Sequence, residues 1–242
     1  MTVGKITAVT LLALALTGRV RGEEGGSRLV ANLRAGRPQT VVAYGTSLTA
    51  EGEWVRQMAE ALEAAFPGLA TVVNSGRSGA SSDWGTANLD SRVLAWRPDT
   101  VLIEFAVNDA RLDDTVSLAR ARGNLEAMID RILSAGPGTE IILMTMNPPA
   151  GSSLLRRPRY RDYYEVYREV AGERGLPLID HTRNWERILE TDPGLFRRYV
   201  PDGIHPGPEG CAAVITPKIL EALGIPVGAR HAVPLQTPPD GG

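Results

Sequence analysis

Cysteine occurs once in the 242 residues, at Cys211, which excludes an intramolecular disulfide framework and leaves stability to the hydrophobic core. Histidine occurs three times, at His181, His205 and His231. So little thiol and imidazole gives no support to a zinc site of the usual nitrogen and sulfur type. No apolar run reaches the roughly 20 residues needed to cross a bilayer. Positive charge is not in surplus, the formal net charge being -2, so the basic field on which nucleic-acid binding rests is missing. The glycines around Gly76 and Gly79 match neither a P-loop nor a G-x-G-x-x-G fingerprint, which argues against a nucleotide binder. There is no internal repeat and no long linker.

What is present is the composition of a soluble globular protein, 43% hydrophobic and 22% charged, long enough for one domain with a substantial core. The first residues stand apart. Lys5 precedes an apolar run from Ile6 to Leu16, and Val20 and Gly22 are small residues before Glu23, the pattern of a secretory signal peptide over residues 1–22. The competing reading is an ordinary buried N-terminal helix. Removal of this segment would take away Lys5, Arg19 and Arg21 and move the formal charge from -2 to -5. Residues 23–224 then form the domain, and residues 225–242 a Pro- and Gly-rich C-terminal tail that contains His231. Secretion or a periplasmic location follows from this reading, with no stable membrane insertion once the signal is removed.

Apolar runs place strands near Thr40 to Tyr44, Ala70 to Asn74, Thr100 to Phe105, Glu140 to Thr145 and Pro177 to Asp180, with helical spacing between them. Trp54, Met58, Ala61, Leu62 and Ala65 mark one helical face; Leu118, Leu125, Met128, Ile129 and Ile132 mark another. Strands as continuously apolar as Val101-Leu102-Ile103, alternating with helices, predict a mainly parallel five-stranded sheet covered on both faces. The fold class is α/β, a flavodoxin-like three-layer α/β/α sandwich. In such sheets ligands sit beyond the carboxyl ends of the strands. Ser47 follows the first predicted strand, Asn74-Ser75-Gly76 the second, Asn108-Asp109 the third and Asn147-Pro148-Pro149 the fourth. Each alone reads as a turn or a helix cap; their shared edge makes them candidates for one site.

Ser47 lies in Gly45-Thr46-Ser47-Leu48-Thr49, and Asp202-Gly203-Ile204-His205-Pro206 lies near the end of the chain. A serine hydroxyl becomes a useful nucleophile when an imidazole takes its proton and a carboxylate holds the other ring nitrogen. The order Ser, Asp, His also occurs in α/β-hydrolases, but their G-x-S-x-G elbow is absent because Thr49 stands where the second glycine belongs. His181, at a predicted strand end beside Asp180, is the alternative base.

These blocks together resemble those of the SGNH, or GDSL-type, hydrolase superfamily, over about residues 39 to 222. Gly45-Thr46-Ser47-Leu48 is similar to its nucleophile block, Gly76 to its glycine block, Ala106-Val107-Asn108-Asp109 to its asparagine block, and Asp202-Gly203-Ile204-His205 to its terminal block. Two positions depart from the pattern: Thr46 replaces a frequent Asp, and Ala106 a frequent Gly. The resemblance implies a serine esterase that needs no cofactor and no metal. Its catalytic residues would be Ser47, Asp202 and His205, and its oxyanion hole the N–H groups of Ser47 and Gly76 with the Asn108 amide.

Substrate is the least legible feature. Trp84 follows the glycine block and is a candidate wall for an acyl group or a sugar. The basic stretch Arg156-Arg157-Pro158-Arg159-Tyr160-Arg161 reads as a solvated loop, with steering of an anionic substrate as the sharper alternative. Export favours a short acyl ester, acetyl above all, on a small molecule or a carbohydrate. The competing functions are a lysophospholipase or thioesterase of the same superfamily and a non-catalytic carbohydrate-binding protein on the same fold.

Overall fold

The computed structural model describes residues 26–113 and 116–226. The expected signal peptide 1–22, the tail beyond residue 226 and His231 lie outside the described residues. The described chain begins with α1 (Arg28–Arg34), β1 (Gln39–Gly45), α2 (Ser47–Ala50), α3 (Glu53–Ala65), β2 (Ala70–Asn74) and α4 (Ser82–Arg92). It continues through β3 (Thr100–Glu104), α5 (Ala106–Asp109), α6 (Leu118–Ala135), β4 (Glu140–Thr145), α7 (Ser152–Leu155), α8 (Tyr160–Arg174) and β5 (Leu178–Asp180). After α9 (Thr182–Thr191), α10 (Pro193–Tyr199) and α11 (Pro208–Gly210), a π-helical turn at Cys211–Ile215 runs into α12 (Thr216–Leu223).

All five strands are parallel, in the order β2-β1-β3-β4-β5. The expected strands, their direction and the flavodoxin-like order are all present. Every residue of β3 and β4 is buried, whereas β2 has no buried residue and β5 has one, Ile179, between two partly exposed ones. That is the burial expected of central and edge strands when helices cover both faces. Helices α4, α6 and α8 pack in sequence on one face; α1, α3 and α12 lie on the other. The expected face of α3 is realised at Trp54, Met58 and Leu62, with Val55 added, while Ala65 is exposed because the helix end runs past the core.

Side chains from the helices fix the strand ends from which the site is built. The Tyr167 hydroxyl of α8 accepts the Phe105 N–H at 2.8 Å, and the Tyr164 hydroxyl donates to the Asn147 carbonyl at 2.8 Å. Burial pushes both phenols well above their ordinary pKa, so they stay neutral. On β1, the Tyr44 ring meets Phe105 edge-on at 5.1 Å, and its hydroxyl donates to the Gly85 carbonyl at 2.6 Å. The backbone just beyond β3 and β4 is thus held by buried aromatic anchors with satisfied polar tips, and Tyr44 ties β1 to α4.

Candidate active site

Ser47 is the first residue of α2, directly after β1. Thr46 caps the helix in an extended conformation, its hydroxyl accepting from the Leu48 N–H at 3.1 Å. Beneath this turn lies the buried carboxylate of Glu104 at the end of β3. It accepts from the Thr46 N–H at 2.7 Å, from the Thr46 hydroxyl at 3.0 and 3.1 Å, and from the Thr49 hydroxyl at 2.7 Å. Gly45 permits the approach: a Cβ there would stand 2.2 Å from Glu104 Oε1. Burial pushes the Glu104 pKa up to about 7, outweighing the hydrogen bonds from Thr49 and Thr46 that favour the charge; Asp109 adds a smaller rise. Sequence reading missed Glu104, although one signal was available: a lone carboxylate ending the apolar run Val101-Leu102-Ile103.

The terminal block closes over Ser47. Ser47 Oγ lies 2.8 Å from His205 Nε2, and His205 Nδ1 lies 2.5 Å from Asp202 Oδ2. With Asp202 accepting from the Nδ1–H, the neutral imidazole presents Nε2 as an acceptor to the serine hydroxyl. The second Asp202 oxygen accepts the N–H groups of Ile204 at 3.0 Å and His205 at 2.8 Å, so the acid and the base are fixed within one turn. Partial burial would raise the Asp202 pKa, but these hydrogen bonds from His205 and Ile204 hold it below the ordinary carboxylate value. The turn is in turn tied to the segment after β4. Asn147 Nδ2 donates to the Ile204 carbonyl at 3.0 Å, and the Ala150 N–H to the Gly203 carbonyl at 2.7 Å. The side chains of His205 and Asp202 remain 40% and 53% exposed, so the relay opens to solvent along one side.

Asn108, buried in α5, donates from Nδ2 to the Ala80 carbonyl at 2.9 Å. That bond uses one of the two amide hydrogens, and its acceptor, Ala80, directly follows the Asn74–Gly79 loop. Within that loop the expected donor, Gly76, has its N–H engaged by Asn74 Oδ1 at 3.1 Å, and Asn74 Nδ2 donates to the Thr49 carbonyl at 2.9 Å. Gly76 is required there by packing, since a Cβ would lie 2.4 Å from Ala50 N. Gly79 differs: φ is +76°, a Cβ would meet nothing within 4 Å, and its N–H has no hydrogen-bond partner among the described residues. The second glycine of Asn74-Ser75-Gly76-Arg77-Ser78-Gly79, next to the Ala80 that binds Asn108, is therefore the one with a free donor. Its signal in the sequence was a second glycine in the same loop.

Two other candidates take different places. Trp84 is half-buried, with the Arg77 and Arg92 guanidinium groups 5.6 and 5.7 Å from its ring centre and Tyr44 at 5.8 Å. His181 is completely enclosed, and neither ring nitrogen has a hydrogen-bond partner among the described residues. Burial, reinforced by Lys218, lowers its pKa to about 3 and keeps it neutral. It is Ser47 and His205, not Ser47 and His181, that the fold joins.

A model of the GDSL-like Lipase/Acylhydrolase family matches residues 36–213. The chain is 26% identical over 217 residues to the uncharacterized lipoprotein YqeF of Bacillus subtilis, covering 73% of this chain and 86% of that protein. An arylesterase of Vibrio mimicus is 29% identical over 140 residues, 57% of this chain and 63% of its own length. Among solved structures, an acetylxylan esterase from Geobacillus stearothermophilus superposes with a TM-score of 0.68 at 22% identity, covering 78% of this chain and 95% of that one. That last likeness is one of fold.

Proposed function

Because the chain belongs to the GDSL-like lipase/acylhydrolase family and is a carboxylic ester hydrolase, we propose that it cleaves short acyl esters through Ser47, His205 and Asp202. The observation that carries this reading is the continuous relay from Ser47 Oγ to His205 Nε2 at 2.8 Å and from His205 Nδ1 to Asp202 at 2.5 Å. Ser47 Oγ attacks the carbonyl carbon as its proton passes to Nε2. Asp202 stabilises the imidazolium so formed and keeps the ring in the required tautomer. The charge on the carbonyl oxygen is received by the Ser47 N–H, the remaining Asn108 amide hydrogen and a glycine N–H. We assign that glycine to Gly79 in place of Gly76, whose N–H is held by Asn74. His205 then returns the proton to the leaving alkoxide, and water, activated by the same ring, releases the acid from the acyl-enzyme.

Acetyl and other short acyl groups are favoured, on small molecules or on carbohydrate. The half-exposed side chains of His205 and Asp202 leave room for a large hydrophilic alcohol portion. An acetylxylan esterase works on the same fold, which makes such a substrate compatible with the scaffold. Trp84 is left to packing, since Arg77, Arg92 and Tyr44 surround its ring. An extracytoplasmic location is supported by the signal-like residues 1–22 and by the similarity to a bacterial lipoprotein.

Two measurements test this reading. A fluorophosphonate probe followed by peptide mapping should label Ser47 alone; labelling of another serine would remove it from the nucleophile's role. A panel of nitrophenyl esters from acetate to palmitate, run beside acetylated xylan, should give the highest kcat/KM at the short end. A maximum at palmitate would replace the short-acyl reading with a lipase or lysophospholipase one.

A further inference from the structure

Four arginines occupy the stretch between α7 and the first turn of α8, and one of them behaves unlike the rest. Arg156, Arg159 and Arg161 have side chains 58%, 62% and 70% exposed and pair at the surface with Asp113, Asp162 and Glu186. Arg157 is 8% exposed. Its guanidinium turns inward and donates from Nε to the Val107 carbonyl at 2.9 Å and from Nη2 to Asn108 Oδ1 at 3.1 Å. The Arg156 carbonyl accepts the Leu112 N–H at 3.0 Å, which ties this stretch to the segment after α5, and the Arg157 N–H donates back to the Leu154 carbonyl of α7 at 2.9 Å.

We infer that Arg157 is a positioning residue for the oxyanion hole, holding the Asn108 amide in the one orientation that presents Nδ2 to the substrate oxygen. This rests on the reading of Asn108 as an oxyanion donor. An asparagine amide can usually rotate by half a turn, but here Oδ1 faces a guanidinium N–H and Nδ2 faces the Ala80 carbonyl. The rotated amide would oppose donor to donor and acceptor to acceptor, losing both bonds. The fixed fork of arginine reaches two oxygens on adjacent residues, which a lysine ammonium on a flexible stem cannot reproduce. In the four-residue α5 the Ala106 and Asn108 carbonyls accept from the Ala110 and Arg111 N–H groups at 3.2 and 3.0 Å, and the Val107 carbonyl between them accepts from Arg157 Nε, so the same fork also braces the helix that carries Asn108.

The charge itself has a second effect. Burial, and then the neighbouring Arg111 and Arg156, hold the Arg157 pKa below the ordinary arginine value, yet a guanidinium stays protonated at neutral pH. A cation hydrogen-bonded to Oδ1 draws electron density from the amide and makes Nδ2–H a stronger donor. That gain is largest when the oxyanion forms, so it belongs to the transition state more than to the bound ester.

The test is a double-mutant cycle on nitrophenyl acetate with Arg157→Ala, Asn108→Ala and the pair, reading kcat and KM separately and folding by near-ultraviolet circular dichroism. Asn108→Ala should lower kcat roughly 100-fold or more. Arg157→Ala should lower kcat roughly 10-fold or more with KM nearly unchanged, and should cost little further in the Asn108→Ala background. Added methylguanidinium should restore part of the Arg157→Ala rate. Should that variant fail to fold, Arg157→Lys carries the test, with kcat reduced in the wild-type background and not in Asn108→Ala. Full additivity of the two losses, or a change confined to KM, would overturn the positioning role. An unchanged kcat in Asn108→Ala alone would instead remove the oxyanion reading on which it rests.

Discussion

Glu104 accepts both the backbone N–H and the hydroxyl of Thr46, the residue immediately before the proposed nucleophile. A carboxylate enclosed at the end of the central strand β3 thereby shapes the turn that starts α2, linking the apolar core to the position of Ser47. Of the two departures from the family pattern, Thr46 takes part in this contact, and Ala106, two residues after Glu104, starts the helix that carries Asn108.

Glu104→Ala should therefore damage both stability and turnover. It strands the Thr46 N–H and the Thr49 hydroxyl without acceptors, each costing roughly 1–3 kcal/mol when buried, and frees the turn that aims Ser47. Glu104→Gln keeps one oxygen for those donors and should retain most of both. Chemical denaturation and ester kinetics on the two variants make the comparison; equal behaviour of Ala and Gln would show that the hydrogen bonds are not what matters.

Glu104 also sets a pH dependence of stability. Its pKa rises on folding from 4.5 to about 7, so the folded state holds the proton more tightly than the unfolded one. The resulting stabilisation is complete below about pH 4.5 and is lost as pH rises through about 7, with an upper limit of about 3 kcal/mol. The stability of the wild type relative to Glu104→Gln should accordingly fall between pH 4.5 and 7.5 in urea titrations. A difference that stays flat across that range would mean that the carboxyl is ionised throughout.

His181 acts in the opposite direction. Enclosure lowers its pKa on folding from 6.5 to about 3, so its share of stability is present above pH 6.5 and is lost as pH falls towards 3. His181→Leu, close in size and without a titrating group, should keep ester turnover within about threefold and lessen the acid-side loss of stability. Thermal melts at pH 4 and pH 7 measure the second effect. A loss of turnover matching that of His205→Ala would return His181 to the role of base.

The sheet was legible because its central strands are continuous apolar runs, Val101-Leu102-Ile103 above all, and the helices carry clear apolar faces such as Trp54, Met58 and Leu62. The Ser47, Asp202 and His205 arrangement could be anticipated because Asp202 and His205 share one short turn. The parts that could not be read depend on packing between distant segments. Glu104 looks like the polar end of a strand until Thr46 and Thr49 are folded above it, and Arg157 looks like its exposed neighbours until α5 is packed against its loop. Gly76 and Gly79 are distinguished by where Asn74 points, by the packing of Gly76 against Ala50 and by the positive φ of Gly79, none of which a local pattern records.

The relay of Ser47, His205 and Asp202 is tested most directly by the turnover number of purified Ser47→Ala on nitrophenyl acetate, with folding checked by circular dichroism. Removal of the hydroxyl takes away the attacking atom and almost no buried volume, so kcat should drop on the order of 10^4-fold or more while the spectrum and melting temperature stay close to wild type. Turnover in the folded variant near the wild-type rate would contradict Ser47 as the nucleophile.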